Sequence, residues 1–197
     1  MGTRGAYGFR IDGTDKVTYN HFDSYPEWLG EQIVAFVRAH SVDEMRSIAR
    51  SIVLVNAKTK PTPEQVKECE RWTNLMVSEQ STEDWYCLLR EAQGNLEAYT
   101  QGLRYMMDYH NFLADSLFCE WAYIINLDDG VLEVYRGFQK RRDKNPANRY
   151  RNLRCQYDKP KYYPVKLLLT FDLQRIPDDW LERVYKAAGL KPMKEAV

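Results

Sequence analysis

Two runs, Cys119-Glu120-Trp121-Ala122-Tyr123-Ile124-Ile125-Asn126-Leu127-Asp128 and Val131-Leu132-Glu133-Val134-Tyr135-Arg136-Gly137-Phe138, are joined through Asp129-Gly130, and the fold is read outward from them. From Phe118 the pattern has a period of two, and Asp-Gly is a tight-turn signal, so the stretch predicts a β-hairpin. Downstream, residues 163–173 give another strand, whose apolar centre from Val165 through Phe171 predicts a central place in a sheet. Asp178 or Asp179 then opens a helix carrying Trp180, Leu181, Val184 and Ala188, stopped by Gly189 with Pro192 beyond.

Upstream the order is hairpin, then helices. Residues 3–11 alternate, with Gly5, Tyr7, Phe9 and Ile11 on one side and Arg4, Ala6, Gly8 and Arg10 on the other. Asp12-Gly13-Thr14-Asp15 turns the chain and residues 17–22 return it. Ser24-Tyr25-Pro26-Glu27 predicts a capping box opening a helix over 26–39 that buries Leu29, Ile33, Phe36 and Val37. A second helix starts at Ser41 or Asp43, with Met45, Ile48, Ala49 and Ile52 on one stripe, and residues 58–61 break it. Thr62-Pro63-Glu64-Gln65 caps a third helix with the apolar face Val66, Cys69, Trp72 and Met76. Residues 81–84 open a fourth, with Trp85, Leu88, Leu89, Ala92, Leu96 and Tyr99 at helical spacing. Gly94 weakens its middle by up to about 1 kcal/mol relative to Ala. Residues 101–116 fit helix and loop equally. The whole predicts one α+β domain over 1–197. An antiparallel sheet of about five strands (N-terminal hairpin, central hairpin, C-terminal strand) packs on a helical insertion at about 26–100 and on a C-terminal helix, with a basic loop at about 139–161.

The 197 residues suffice for one good core, and 28 basic against 28 acidic residues leave a formal net charge of zero. The whole molecule therefore has no bias toward nucleic acid or anionic lipid. Mean hydropathy is -0.60 and no run of about 18 apolar residues occurs, so no transmembrane helix is expected. Cys69, Cys87, Cys119 and Cys155 are widely spaced with no C-x-x-C pair, and no metal site is expected. They are taken as free thiols, and with no secretory leader at the start the expected compartment is the cytoplasm.

Four groups carry candidate chemistry. Tyr19, His21, Asp23, Ser24 and Tyr25 crowd the passage from a strand end into a helix start, where an anion is welcome. His21 and Asp23 there also form a candidate acid/base pair; the plainer reading is a cap and a strand-bound histidine. Arg4 and Arg10 flank the small Ala6 and Gly8, leaving room for a planar or phosphorylated ligand unless that face is covered. Arg136, Lys140, Arg141, Arg142, Lys144, Arg149, Arg151 and Arg154, with one acid, Asp143, interleave with Tyr135, Phe138, Tyr150 and Tyr157. Charge with rings suits a nucleotide, while a charge run is also an ordinary solvated loop. Glu120, beside Trp121 and Tyr123 with Asn126 further along, needs a partner such as Arg4 if buried and none on a solvated face. No G-x-S-x-G, H-E-x-x-H, Walker or dinucleotide fingerprint is present, and the histidines are His21, His40 and His110.

The opening Thr3-Arg4-Gly5 and the segment Tyr19-Asn20-His21-Phe22-Asp23-Ser24-Tyr25-Pro26-Glu27 resemble a group of small bacteriophage and bacterial proteins. Their pattern opens Thr-Arg and continues to Tyr-x-His-Trp-Asp-Gly-Tyr-Pro-Glu. Phe22 stands here for the Trp and Ser24 for the Gly, and residues 118–123 echo the group more faintly. The resemblance covers about the first 30 residues and implies a phage-like origin, hence a host cytoplasm, but attaches no activity.

The expected function is a non-enzymatic binder of an anionic nucleotide-like small molecule, without cofactor, that sequesters a host immune signal as a counter-defence. Its contacts would come from Arg4, Arg10, Tyr19, His21, Asp23, Ser24, Tyr25, Glu120, Arg136, Arg141 and Arg142. Two alternatives stay open: a hydrolase or transferase using His21 and Asp23, and an inhibitor of a host protein acting through Arg141 and Arg142. Nucleic acid is the less expected ligand, no membrane is involved, and a homo-oligomer is expected.

Overall fold

The computed structural model describes residues 2–155 and 161–191. Tyr157 and Pro192 lie outside the described residues. The fold is α+β. A five-stranded sheet has the order β2-β1-β5-β6-β7, from β1 (Gly5–Ile11), β2 (Thr14–Asn20), β5 (Trp121–Asn126), β6 (Val131–Arg136) and β7 (Lys166–Asp172). Both predicted hairpins form, with Gly5 opposite Asn20 and Trp121 opposite Arg136.

The sheet is mostly antiparallel, with one correction: β1 and β5 pair in parallel. The chain leaves the sheet at the end of β2 and re-enters beside the start of β1, so β5 runs with β1. A second correction concerns β7. It is an edge strand, not a central one: β1 and β5 already have two neighbours each, and the last strand adds outside β6. Its apolar run is explained from both sides: Leu168, Leu169 and Phe171 lean on the helix-side core, Leu167 belongs to the opposite cluster, and the register shifts between Val134 and Tyr135.

On one face, Tyr7, Phe9, Trp121, Tyr123, Ile125 and Val134 meet α1 (Glu31–Ala39) and α6 (Trp180–Ala188), whose Ile33, Phe36, Val37, Trp180 and Val184 are buried. α6 ends at Gly189 in the left-handed region, as expected. α2 (Val42–Ser51) starts at Ser41 through a capping box with Glu44. The box expected at 24–27 does not form: Ser24 is fully buried and its hydroxyl accepts from Asn20 Nδ2 at 2.9 Å, so it has no free hydroxyl for a cap. A wide π-type turn, Pro26–Gly30, precedes α1 instead, with the Gly30 N–H on the Tyr25 carbonyl.

The rest of the insertion is more broken than its periodicity predicts. α3 (Pro63–Cys69) and a 3-10 turn end by Trp72, and Met76 stands 84% exposed, off any apolar face. The expected fourth helix is split into α4 (Trp85–Leu88), a 3-10 turn at Arg90–Ala92 and α5 (Glu97–Thr100). Gly94, at φ +78, breaks it between the last two. A short parallel ladder joins β3 (Val53–Val55) and β4 (Tyr105–Met107), a correction to the second helix, which ends at Ser51 and not at residues 58–61, and to 101–116, read as helix or loop.

The other sheet face is covered too. Ala6, Val17, Ala122, Ile124 and Tyr135 pack under Leu113, Tyr150 and Val165. Around Asn148 to Tyr150 the basic segment lies as a strap across the sheet, while Lys140, Arg141, Arg142, Lys144 and Arg154 are exposed to solvent. Asn148 pins it, donating to the Val165 carbonyl at 2.8 Å and to Asp143 at 2.9 Å. Below it, Arg149 pairs with the buried Glu133 and with Asp15 at 3.0 Å. Tyr135 and Asn126 complete the Glu133 carboxylate at 2.9 and 2.8 Å, and Tyr150 donates to Asp15 at 2.9 Å.

Candidate functional site

One corner of the sheet, where β1 begins and β2 ends, gathers four of the predicted residues. Tyr19 and His21, two apart, project from the same side of β2 and its continuation, and the Tyr19 hydroxyl meets His21 Nδ1 at 2.8 Å. Arg4 precedes Gly5, which pairs with Asn20, so Arg4 lies across from His21. Gly5 is required there: a Cβ would come within 2.6 Å of the Ser24 Cβ and 2.5 Å of the Trp121 carbonyl oxygen. Asp23 turns the chain in the left-handed region at φ 51, a conformation that Asp tolerates better than most residues. Its carbonyl accepts from the Leu29 N–H at 3.1 Å, which fixes the turn to the following helix.

A remote segment completes the corner. The Tyr7 hydroxyl donates to the Ala92 carbonyl at 3.0 Å and accepts from the Gly94 N–H at 2.9 Å, anchoring the 89–94 turn to β1. That places the Arg90 guanidinium 5.4 Å from the centroid of the Phe22 ring, which itself stands edge-on to His21 at 4.2 Å. Arg4 covers the Phe118 ring at 5.5 Å. Phe22 and Phe118 are 49% and 45% exposed, so rings and cations alternate along an accessible rim. Beside Phe22 and Arg90 a cleft of about 200 Å³ is lined by Asp23, Gln32, Gln93 and Gly94 as well.

The corner carries two cations, Arg4 and Arg90, with the Asp23 carboxylate on the cleft beside Arg90 and Glu120 within electrostatic reach of Arg4. Among the described residues neither Arg4 nor Arg90 has an ion-pair partner within 4.0 Å, and Arg90 gives one N–H to Gln93 at 3.1 Å. Partial burial, then Arg90 and Arg4, hold His21 below its ordinary 6.5, so the ring is neutral at pH 7. Burial pushes the Tyr19 phenol up, with Arg4 opposing, so it remains a protonated donor. Two cations, a neutral imidazole and half-exposed rings can hold an anion that carries a planar group.

The other predicted residues are placed elsewhere. His21 and Asp23 are not hydrogen-bonded to each other; the imidazole takes Tyr19 instead. Ser24 is enclosed under Asn20, while Tyr25 lies within electrostatic reach of Arg136 on the helix side. Arg136 stacks on Trp121 at 4.5 Å and on Phe138 at 5.0 Å, and donates to the Glu120 carbonyl at 2.9 Å. Glu120 is half-buried; burial raises its carboxyl pKa while Arg136 opposes, and no ion pair joins it to Arg4. Arg10 sits at the far end of β1, paired with Asp15 at 3.2 Å and Asp128 at 3.5 Å, so it and Arg4 do not converge. The room expected beside Ala6 is filled by the strap. Arg142 covers Tyr163 and donates to the Arg151 carbonyl, and Arg141 is exposed on the strap's outer side.

Sequence reasoning missed Arg90, hidden in a run of helical period. The turn signal of Gly94, four residues on, was the one cue to a break there. Among the described residues no three His, Cys, Asp or Glu side chains gather as metal ligands, and no helix is long and apolar enough to cross a membrane. Compared with known proteins, the chain matches no family model, and no curated protein or solved structure matches it.

Proposed function

We propose that the protein binds a small anionic, nucleotide-like molecule at the Arg4–His21–Arg90 corner and returns it unchanged. One observation carries the reading: two arginines without a carboxylate partner among the described residues flank a neutral histidine on a rim of half-exposed rings. An arginine placed for stability is normally paired or solvated alone; here the two are held on rings of the same corner. The acid/base alternative lacks this support, since Asp23 leaves His21 to Tyr19. Holding a ligand intact amounts to sequestering it, and the likeness of the opening segment to bacteriophage proteins supports a host signal as the molecule withheld.

The test is native mass spectrometry with thermal denaturation, before and after mixing with cyclic and ADP-ribose-type nucleotides. A ligand of unaltered mass should be bound at fixed stoichiometry and raise stability by about 2.7 kcal/mol at about 100 times its Kd. Arg4→Glu and Arg90→Glu should each abolish the shift. A ligand of altered mass would make the protein an enzyme, and no shift across the panel would end the reading.

A further inference from the structure

We infer that the cleft between Phe22 and the Arg90–Gly94 turn takes the base of the ligand, and that Asp23 selects a base with an exocyclic amino group. The inference rests on the corner being the ligand site. The cleft, at about 200 Å³, is lined by Phe22, whose ring stands against His21, and by Asp23, Gln32, Arg90 and Gln93. Its chemistry differs from that of the corner next to it. One cation and one carboxylate cancel, so a further phosphate gains little there, whereas a neutral polar plane finds both donors and acceptors.

Three features fit a base in particular. The half-exposed Phe22 ring and the Arg90 guanidinium, 5.4 Å from its centroid, together give a base a planar surface to stack on, as base-binding surfaces do. The side-chain amides of Gln32 and Gln93 present donor and acceptor together, and Gln32 is exposed on the first turn of α1. The Asp23 carboxylate has no hydrogen-bond partner among the described residues, and its left-handed backbone holds it at the cleft edge. A carboxylate accepts from an amino group and repels a carbonyl oxygen, which gives the preference its sign. Gly94 keeps the floor low: a Cβ there would reach the Asn20 Oδ1 at 3.0 Å and φ is +78.

The probes are AMP, purine riboside 5′-phosphate, which lacks only the amino group, and ribose 5-phosphate, titrated calorimetrically into the full chain. AMP should bind about tenfold or more tighter than ribose 5-phosphate, and about tenfold tighter than the purine riboside. Phe22→Ala should bring AMP down to the level of ribose 5-phosphate, and Asp23→Asn should erase the preference for the amino group. Both side chains are exposed, so the variants keep their fold. If AMP and ribose 5-phosphate bind equally, the base subsite is overturned while the corner stands. If the purine riboside binds as well as AMP, the role of Asp23 is overturned. If none of the three binds, the corner reading fails and the subsite with it.

Discussion

The strap and the corner hold arginines in opposite conditions. Under the strap, Arg149 is surrounded by Glu133, Asp15 and Tyr150, and its pairs with Glu133 and Asp15 tie it to the sheet. At the corner, Arg4 and Arg90 stand on Phe118 and Phe22 with no carboxylate within ion-pair distance among the described residues. In the sequence the basic run offered a second candidate beside the corner, with a solvated loop as its plainer reading, because basic residues crowd there. Within the dense run of charge one arginine, Arg149, is spent internally, and Lys140, Arg141, Arg142, Lys144 and Arg154 are exposed, while Arg4 and Arg90, far apart in the chain, are held on rings of one corner. Pairing, not the density of charge, separates a structural cation from a binding one.

The largest effect expected tests the strap. Glu133→Ala takes the buried carboxylate from Arg149, Tyr135 and Asn126, leaves Arg149 to Asp15, and should cost about 3 kcal/mol in denaturant unfolding. A loss under about 1 kcal/mol would erase the contrast between the two regions. Exchanging Glu133 and Arg149 together for apolar residues of similar volume should restore most of that stability, since a guanidinium stripped of its buried carboxylate is what costs.

Next comes the corner. Arg4→Glu or Arg90→Glu should change the stability of the free protein by no more than about 0.5 kcal/mol. The same variants should remove the ligand-dependent gain of about 2.7 kcal/mol. A large loss of stability in the free protein would show these arginines to be as structural as Arg149.

A smaller, pH-dependent effect sharpens the comparison. Because His21 titrates below its ordinary 6.5, its neutral form supplies stability above that value, and this is lost as pH falls toward the lowered value. A bound anion favours the charged ring, so affinity should rise as pH drops through the same window, with proton uptake on binding. The ligand used should be a phosphodiester, whose charge is constant there, unlike a monoester with its second pKa near 6. His21→Gln should flatten the profile. The smallest expected effect is at the strap's outer side: Arg141→Glu should leave both stability and binding within about 0.5 kcal/mol of the parent protein.

Local patterns made much of this legible. The two hairpins, α6 with its Gly189 stop, and the Ser41 and Thr62 capping boxes all follow from signals within a few residues. The half of the corner built from Arg4, Tyr19, His21 and Asp23 was legible because it comes from neighbouring segments of one hairpin. Arg90 was not, since it arrives from a turn held by hydrogen bonds between Tyr7 and residues 85 and 87 positions away.

What the sequence determined by itself is the set of elements and their amphipathic sides: alternation in β1, β5 and β6, the apolar stripe of α1, the turn residues between them. Tertiary structure alone decided that β1 and β5 run parallel, that β7 takes an edge, that the basic run becomes a strap, and that Arg4 and Arg90 share a rim. The physical reason is range. Backbone geometry and capping act over a few residues and are written in local order, whereas the partner that satisfies a buried charge or fills a sheet face is chosen by which distant segments the packed core brings together.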